Sequence, residues 1–205
     1  MELIIKVIAV SIGGYLLGSL NMSLIIGKLY KVDIRKFGSG NAGATNTLRT
    51  LGKTAAILVS LGDVLKGIVA SLLGMLIVGE IEGVGYLGLM TAGLCSILGH
   101  NWPVYFNFNG GKGVLTSLAV LFMMDWRIAI ILLIIFTIIF VSTRYISLGS
   151  VIGAACFPLV SLIPYFEKSI VFTLFSAIIS LLIIVRHHSN IKRLINGSES
   201  KTWGR

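Results

Sequence analysis

Long stretches of nearly unbroken apolar residues alternate along the chain with short polar segments. The apolar runs fall at residues 3–27, 54–78, 83–99, 114–124, 128–141, 147–163 and 170–185. The hydrocarbon core of a bilayer takes about 20 apolar residues per helical span, so these runs predict transmembrane helices. The run at 114–124 is short. It is either a full span extended into Gly113 and Asp125 or part of a re-entrant hairpin. Seven spans are therefore expected, with five spans plus a hairpin as the alternative. Glycine recurs within the runs, as at Gly13, Gly14, Gly18, Gly67, Gly74, Gly85, Gly88 and Gly93. Small residues of this kind let helix backbones approach closely.

The polar segments fix an orientation. With the N-terminus outside, the cytoplasmic side carries Lys28, Lys31, Arg35, Lys36, Arg49, Lys53, Lys112, Arg144, Arg186, Lys192, Arg193, Lys201 and Arg205. The outer side then carries only Lys6, Arg127 and Lys168, beside Glu2, Glu80, Glu82, Asp125 and Glu167. This is the positive-inside distribution. Seven or five spans keep the basic C-terminal tail inside, whereas six would put it outside. The fold class expected is an all-α integral membrane protein, N-terminus outside and C-terminus cytoplasmic, with residues 1–205 as a single polytopic domain.

Composition agrees with the pattern. The 205 residues are 56% hydrophobic and 12% charged, with a mean hydropathy of +0.95. The net charge of +9 raises the possibility of nucleic acid, but the cations lie just outside apolar runs, where they meet anionic lipid heads. Membrane lipid is the expected partner, and nucleic acid is not. Cys95 and Cys156 both lie inside apolar runs and are expected to be small buried residues. No cysteine spacing suggests a zinc site or a disulfide framework. The N-terminal run lacks a small-residue cleavage site and is read as the first span.

Three polar segments, all on the expected cytoplasmic face, carry candidate chemistry. The first is Gly38-Ser39-Gly40-Asn41-Ala42-Gly43-Ala44-Thr45-Asn46, followed by Arg49. Its glycines allow positive φ and close backbone approach. Its small polar residues offer donors to an anion, and Arg49 can fork onto a phosphate. Flexible loops use the same residue types. The second is Gly99-His100-Asn101-Trp102-Pro103 and then Gly110-Gly111-Lys112-Gly113, opening an apolar helix. Backbone donors and a lysine at a helix N-terminus suit phosphate. Gly113 stands where a Walker loop needs Ser or Thr, so nucleotide hydrolysis is not supported. The third, Arg186-His187-His188-Ser189-Asn190, is expected to continue the last span as a helix. Its spacing puts His187 and Asn190 on one face. It also fits a basic helix lying on anionic lipid. Asp63 and Lys66, three apart inside a span, read as a self-shielding ion pair or as support for a site floor.

Taken together, these motifs resemble the bacterial membrane acyl-phosphate:glycerol-3-phosphate acyltransferases, the PlsY family. The likeness rests on Gly-Ser-Gly-Asn-x-Gly-Ala-Thr-Asn-x-x-Arg at 38–49, Gly-Gly-Lys-Gly-Val at 110–114 and Arg-His-x-x-Asn-Ile at 186–191, in that order, with Asp63-x-x-Lys66-Gly67 beside them. It runs from Gly18-Ser19 to the tail. The resemblance implies seven spans in the bacterial cytoplasmic (inner) membrane and a site open to the cytoplasm. It implies transfer of a fatty acyl group from acyl phosphate to the 1-hydroxyl of sn-glycerol 3-phosphate. The products would be lysophosphatidic acid and inorganic phosphate, in the first acylation of phospholipid synthesis.

By the same resemblance Ser39, Arg49, Lys112, His187 and Asn190 are the expected catalytic residues. Gly38, Gly40, Asn41, Thr45, Asn46, Gly110, Gly111, Gly113 and Glu199 are the expected substrate-binding ones. The general base is either His187 or a substrate phosphate. Asn109 departs from a lysine often found there in the family. No metal and no cofactor is expected, and a monomer is the working expectation. The His-x-x-x-x-Asp spacing of soluble-type glycerolipid acyltransferases is absent from the sequence. A transporter of an anionic phosphate compound and a lipid-binding scaffold are the other classes to weigh. The first fits poorly with polar motifs on one side only, and the second has no need of the glycine patterns.

Overall fold

The structure, a computed structural model, describes residues 1–202. Arg205, counted above among the tail's cations, lies outside them. The described residues are helical, joined by turns and three short 3₁₀ segments. They form two compact units, Met1–Met124 and residues 125–202.

In the first unit α1 (Glu2–Gly18), α4 (Lys53–Val78), α5 (Leu87–Asn101) and α6 (Val114–Met124) pack side by side. The α1–α5 contact is backbone on backbone. A Cβ on Gly14 would collide with the carbonyl of Ala92, one on Gly18 with that of Ser96, and one on Gly99 with that of Tyr15. The sequence shows one apolar run from residue 3 to 27, but the helix breaks inside it. Ser19 closes α1, and Asn21 opens α2 (Met22–Leu29) by accepting a hydrogen bond from the Leu24 N–H at 3.1 Å. Both Ser19 and Asn21 are fully buried, so the break is an internal joint. A 3₁₀ turn at Ile34–Lys36 and α3 (Ala44–Leu51) follow. Ile26, Ala55 and Val59 form an apolar cluster that Met22, Ala44 and Leu51 close over, tying α2 and α3 to α4.

The second unit packs α8 (Ile146–Ser161) against both α7 (Trp126–Thr143) and α9 (Ile170–Arg186). Asp125 caps α7, accepting from the Arg127 N–H at 2.8 Å and pairing with Arg127 at 2.9 Å and Lys168 at 2.7 Å. The segment after the last span is helical, but it does not run on in line. At His187 the chain turns by 59° into α10 (His188–Ile195).

Among the described residues, three helices are long and apolar enough to cross a membrane: Glu2–Leu29 taken through its joint, Lys53–Val78 and Trp126–Thr143. The bent α9–α10 pair, counted as one span, would be a fourth. Helices α5, α6 and α8 are shorter. Large apolar side chains stand exposed at helical spacing: Ile4, Ile8 and Ile12 on α1, Leu61, Leu65, Leu72 and Leu76 on α4, Ile134, Ile138 and Val141 on α7. Such faces match a hydrocarbon solvent, whereas water would disfavour them. Cys95 and Cys156 are half-buried free thiols, less enclosed than expected.

Candidate active site

In the first unit two glycine-rich loops meet. The Ser39 loop is held open from within by Asn46, whose side chain is 1% exposed. Its amide donates to the carbonyls of Ile34 and Phe37, both at 3.0 Å, and its Oδ1 accepts the Ser39 N–H at 2.9 Å. Gly38 (φ +57°) and Gly40 (φ +71°) supply the left-handed backbone this turn requires, and a Cβ on Gly38 would strike Asn46. Asn46, expected to bind substrate, thus also braces the loop. Ser39 is presented outward and exposed, with Asn41 and Thr45 half-buried beside it. Arg49 sits exposed in the last turn of α3.

The Gly110-Gly111-Lys112-Gly113 loop leads into the N-terminus of α6. Its glycines are needed for contact. A Cβ on Gly111 would meet the imidazole of His100 and the carbonyl of Ala42, and one on Gly110 would meet the carbonyl of His100. Ala42 belongs to the Ser39 loop, so the two loops touch backbone to backbone. Asn21 pins both, its amide reaching Ala42 O and His100 O, each at 3.4 Å. A second strap lies nearby. Arg35 pairs with Asp33 through Nε at 3.0 Å and NH2 at 3.0 Å, and its NH1 reaches the carbonyls of Phe106 and Asn109 at 3.5 Å. The hydrogen bond from Arg35 holds the Asp33 carboxyl below the usual carboxylate range. Behind Gly113 (φ +73°) the amide of Asn101 is fully buried, and neither of its polar atoms has a partner among the described residues. Lys112 is half-buried on the loop.

In the second unit His187, Asn190 and Glu199 come together around the α9–α10 bend. Glu199 accepts from Asn190 Nδ2 at 2.6 Å, Ser147 Oγ at 2.7 Å and Arg193 Nε at 2.7 Å. Burial resists ionisation of Glu199, but these donors outweigh it and hold the carboxyl below its ordinary pKa. His187 is 3% exposed, and its Nδ1 lies 2.8 Å from the carbonyl of Ile183. A carbonyl only accepts, so Nδ1 carries the proton and a neutral ring keeps its lone pair on Nε2.

Sequence reasoning gave no individual role in the site to Asn21, His100, Arg35 and Ser147. Asn21 had a legible signal, since a Ser-x-Asn pair inside an apolar run is a helix stop followed by an N-cap. His100 and Ser147 had none, because their partners lie far along the chain.

These features define a helical membrane protein that carries two touching glycine-rich loops with cations beside them. Comparison narrows the class. Residues 8–197 match the family model described as glycerol-3-phosphate acyltransferase. The glycerol-3-phosphate acyltransferase of Thermoanaerobacter pseudethanolicus is 45% identical over 188 residues, 91% of each chain. That of Clostridioides difficile is 40% identical over 204 residues, 97% of this chain and 96% of the other. The crystal structure of PlsY (YgiH), an integral membrane glycerol 3-phosphate acyltransferase in its glycerol 3-phosphate form, superposes with a TM-score of 0.88 at 37% identity. It covers 97% of this chain and 96% of that one. The lysophosphatidic acid form of the same enzyme gives 0.84. The chain belongs to the glycerol-3-phosphate acyltransferase family.

Proposed function

We propose that the chain acylates the 1-hydroxyl of sn-glycerol 3-phosphate with a fatty acyl phosphate, releasing lysophosphatidic acid and inorganic phosphate. The observation that carries this reading is the Gly110–Gly113 loop. Its close-packed glycines and Lys112 stand at the N-terminus of α6, braced against the Ser39 loop. Both substrates carry phosphate, and helix N-termini and backbone donors bind phosphate readily.

Lys112 and the backbone of Gly110 and Gly113 hold the acyl phosphate, and Gly111, its N–H donated to the His100 carbonyl, shapes the loop around it. Ser39, Arg49 and the donors of Gly38, Gly40, Asn41 and Thr45 are further substrate contacts. His187 and Asn190 hold glycerol phosphate, with Glu199 fixing Asn190. Asn46 serves by holding the first loop. The glycerol hydroxyl oxygen attacks the acyl carbonyl carbon and gives up its proton to His187 Nε2 or to a substrate phosphate. The bond from that carbon to the phosphate oxygen then breaks, and phosphate leaves with the electron pair. Phosphate is already a good leaving group, so positioning and charge stabilisation supply the rate without a covalent enzyme intermediate.

We further propose that all seven apolar helices are embedded, with the short α5, α6 and α8 supported by their neighbours. The N-terminus is outside, the loops face the cytoplasm, and the membrane is the bacterial inner one. The lysine and arginine distribution supports this orientation.

The test is the pair Arg49→Ala and Lys112→Ala. Each should lower turnover by about 100-fold or more, the scale of losing an electrostatic contact to a transferring group, with thermal unfolding in detergent unchanged. Wild-type rates from folded Lys112→Ala protein would defeat the phosphate-loop assignment.

A further inference from the structure

Beneath the Gly110–Gly111 backbone lies a set of buried charges that the reaction above does not use. Lys66 on α4 is 6% exposed and Asp63 is 1% exposed. Three acceptors surround the lysine ammonium: it donates to the carbonyl of Leu20 at 3.2 Å and to His100 Nδ1 at 2.9 Å, and it forms an ion pair with Asp63 Oδ1 at 2.8 Å. One of these acceptors, Leu20, is the residue at the α1–α2 joint. Asp63 also lies 3.4 Å from His100 Nδ1.

The ammonium fixes the state of the imidazole. It has no lone pair to offer, so His100 Nδ1 must accept, and the ring proton of a neutral His100 sits on Nε2. That nitrogen abuts Gly111, in the space a Cβ would fill. The same histidine accepts the Gly111 N–H on its carbonyl at 3.1 Å. His100 therefore meets Gly111 twice, by ring and by backbone, and the ring's orientation is set from α4. A charged pair at this depth is disfavoured unless its geometry is well satisfied. An intrahelical pair made only for shielding has no need of a third and a fourth partner on other segments.

We propose that Asp63, Lys66 and His100 form a buried positioning chain that sets the shape of the Gly110–Gly113 loop through Gly111, so that the loop can receive the phosphate of the acyl donor. This rests on the reading of that loop as the acyl-phosphate site. None of the three touches substrate. Lys66 reaches the loop only through His100, and Asp63 holds Lys66.

The test is the double variant Asp63→Leu/Lys66→Met, because replacing a buried ion pair by apolar groups of similar size commonly leaves a protein folded. It would be purified in lipid beside wild type and Lys112→Ala, and KM and kcat measured for palmitoyl phosphate and for glycerol 3-phosphate. The expected result is unfolding near the wild-type temperature and a KM for palmitoyl phosphate raised on the order of tenfold, with the KM for glycerol 3-phosphate within about twofold of wild type. Wild-type kinetics in the folded double variant, while Lys112→Ala is inactive, would overturn the positioning chain and leave the loop assignment standing. Equal rises in both KM values would also overturn it, by showing general loosening. A wild-type Lys112→Ala would instead sink the loop assignment itself. Should the double variant not fold, Asp63→Asn decides by the same readout, a selective rise supporting the chain and wild-type values overturning it.

Discussion

The Glu199 carboxylate accepts hydrogen bonds from side chains on α8 and α10, namely Ser147, Asn190 and Arg193. It so decides where Asn190 points. Glu199→Gln should destabilise the second unit by about 1.5–3 kcal/mol at neutral pH, the range for hydrogen bonds to a charged group. The sign of its pH dependence follows from the lowered carboxyl pKa. The stabilisation is present above the unfolded glutamate value of about 4.3 and is lost as pH falls through the lower folded value. The melting temperatures of wild type and Glu199→Gln should therefore converge below about pH 4. A gap that stays constant into acid would mean the carboxylate is not what the three donors recognise. Glu199 also marks a limit of sequence reading. Its importance was visible only through resemblance, because its partner Ser147 is far away along the chain.

At the scale of elements, hydrophobic pattern located the apolar helices and turn chemistry bounded them. The run at 114–124 is α6 as expected, and α4 and α9 begin or end within a residue of their runs. What the pattern hid was the α1–α2 joint, the short helix α3 and the bend that sets α10 apart from α9. A period-based reading sees residues 3–27 as continuous because the joint's polar groups are few and buried. Helix α3 is too short and polar to stand out, and it is held by tertiary contact. The close α1–α5 approach was foreshadowed by the glycines within both runs. Gly18→Ala would force its Cβ against the Ser96 carbonyl. It should cost about 1–3 kcal/mol by overpacking. Thermal unfolding in a fixed detergent would check this, and an unchanged midpoint would show that the helices pack less tightly than described.

On the scale of the whole molecule, helical content and the exposed apolar faces were legible because a bilayer leaves few ways to satisfy a backbone. The number of spans was less so. Among the described residues, three helices, or four with the bent pair counted as one span, reach the length and apolarity of independent spans. The shorter α5 and α6 lie packed against α4, and α5 lines its contacts with glycine instead of bulk. Orientation rests on charge placement. A reporter fused after the C-terminus should be active only when cytoplasmic, and an external C-terminus would refute the seven-span topology.

The central claim, that an acyl phosphate is the donor and glycerol 3-phosphate the acceptor, is tested most directly by product formation. Purified protein in lipid would be given labelled glycerol 3-phosphate with palmitoyl phosphate or with palmitoyl-CoA. Lysophosphatidic acid and inorganic phosphate from the acyl phosphate alone are the predicted result. Product from the CoA ester alone, or none from either donor with folded protein, would contradict the account.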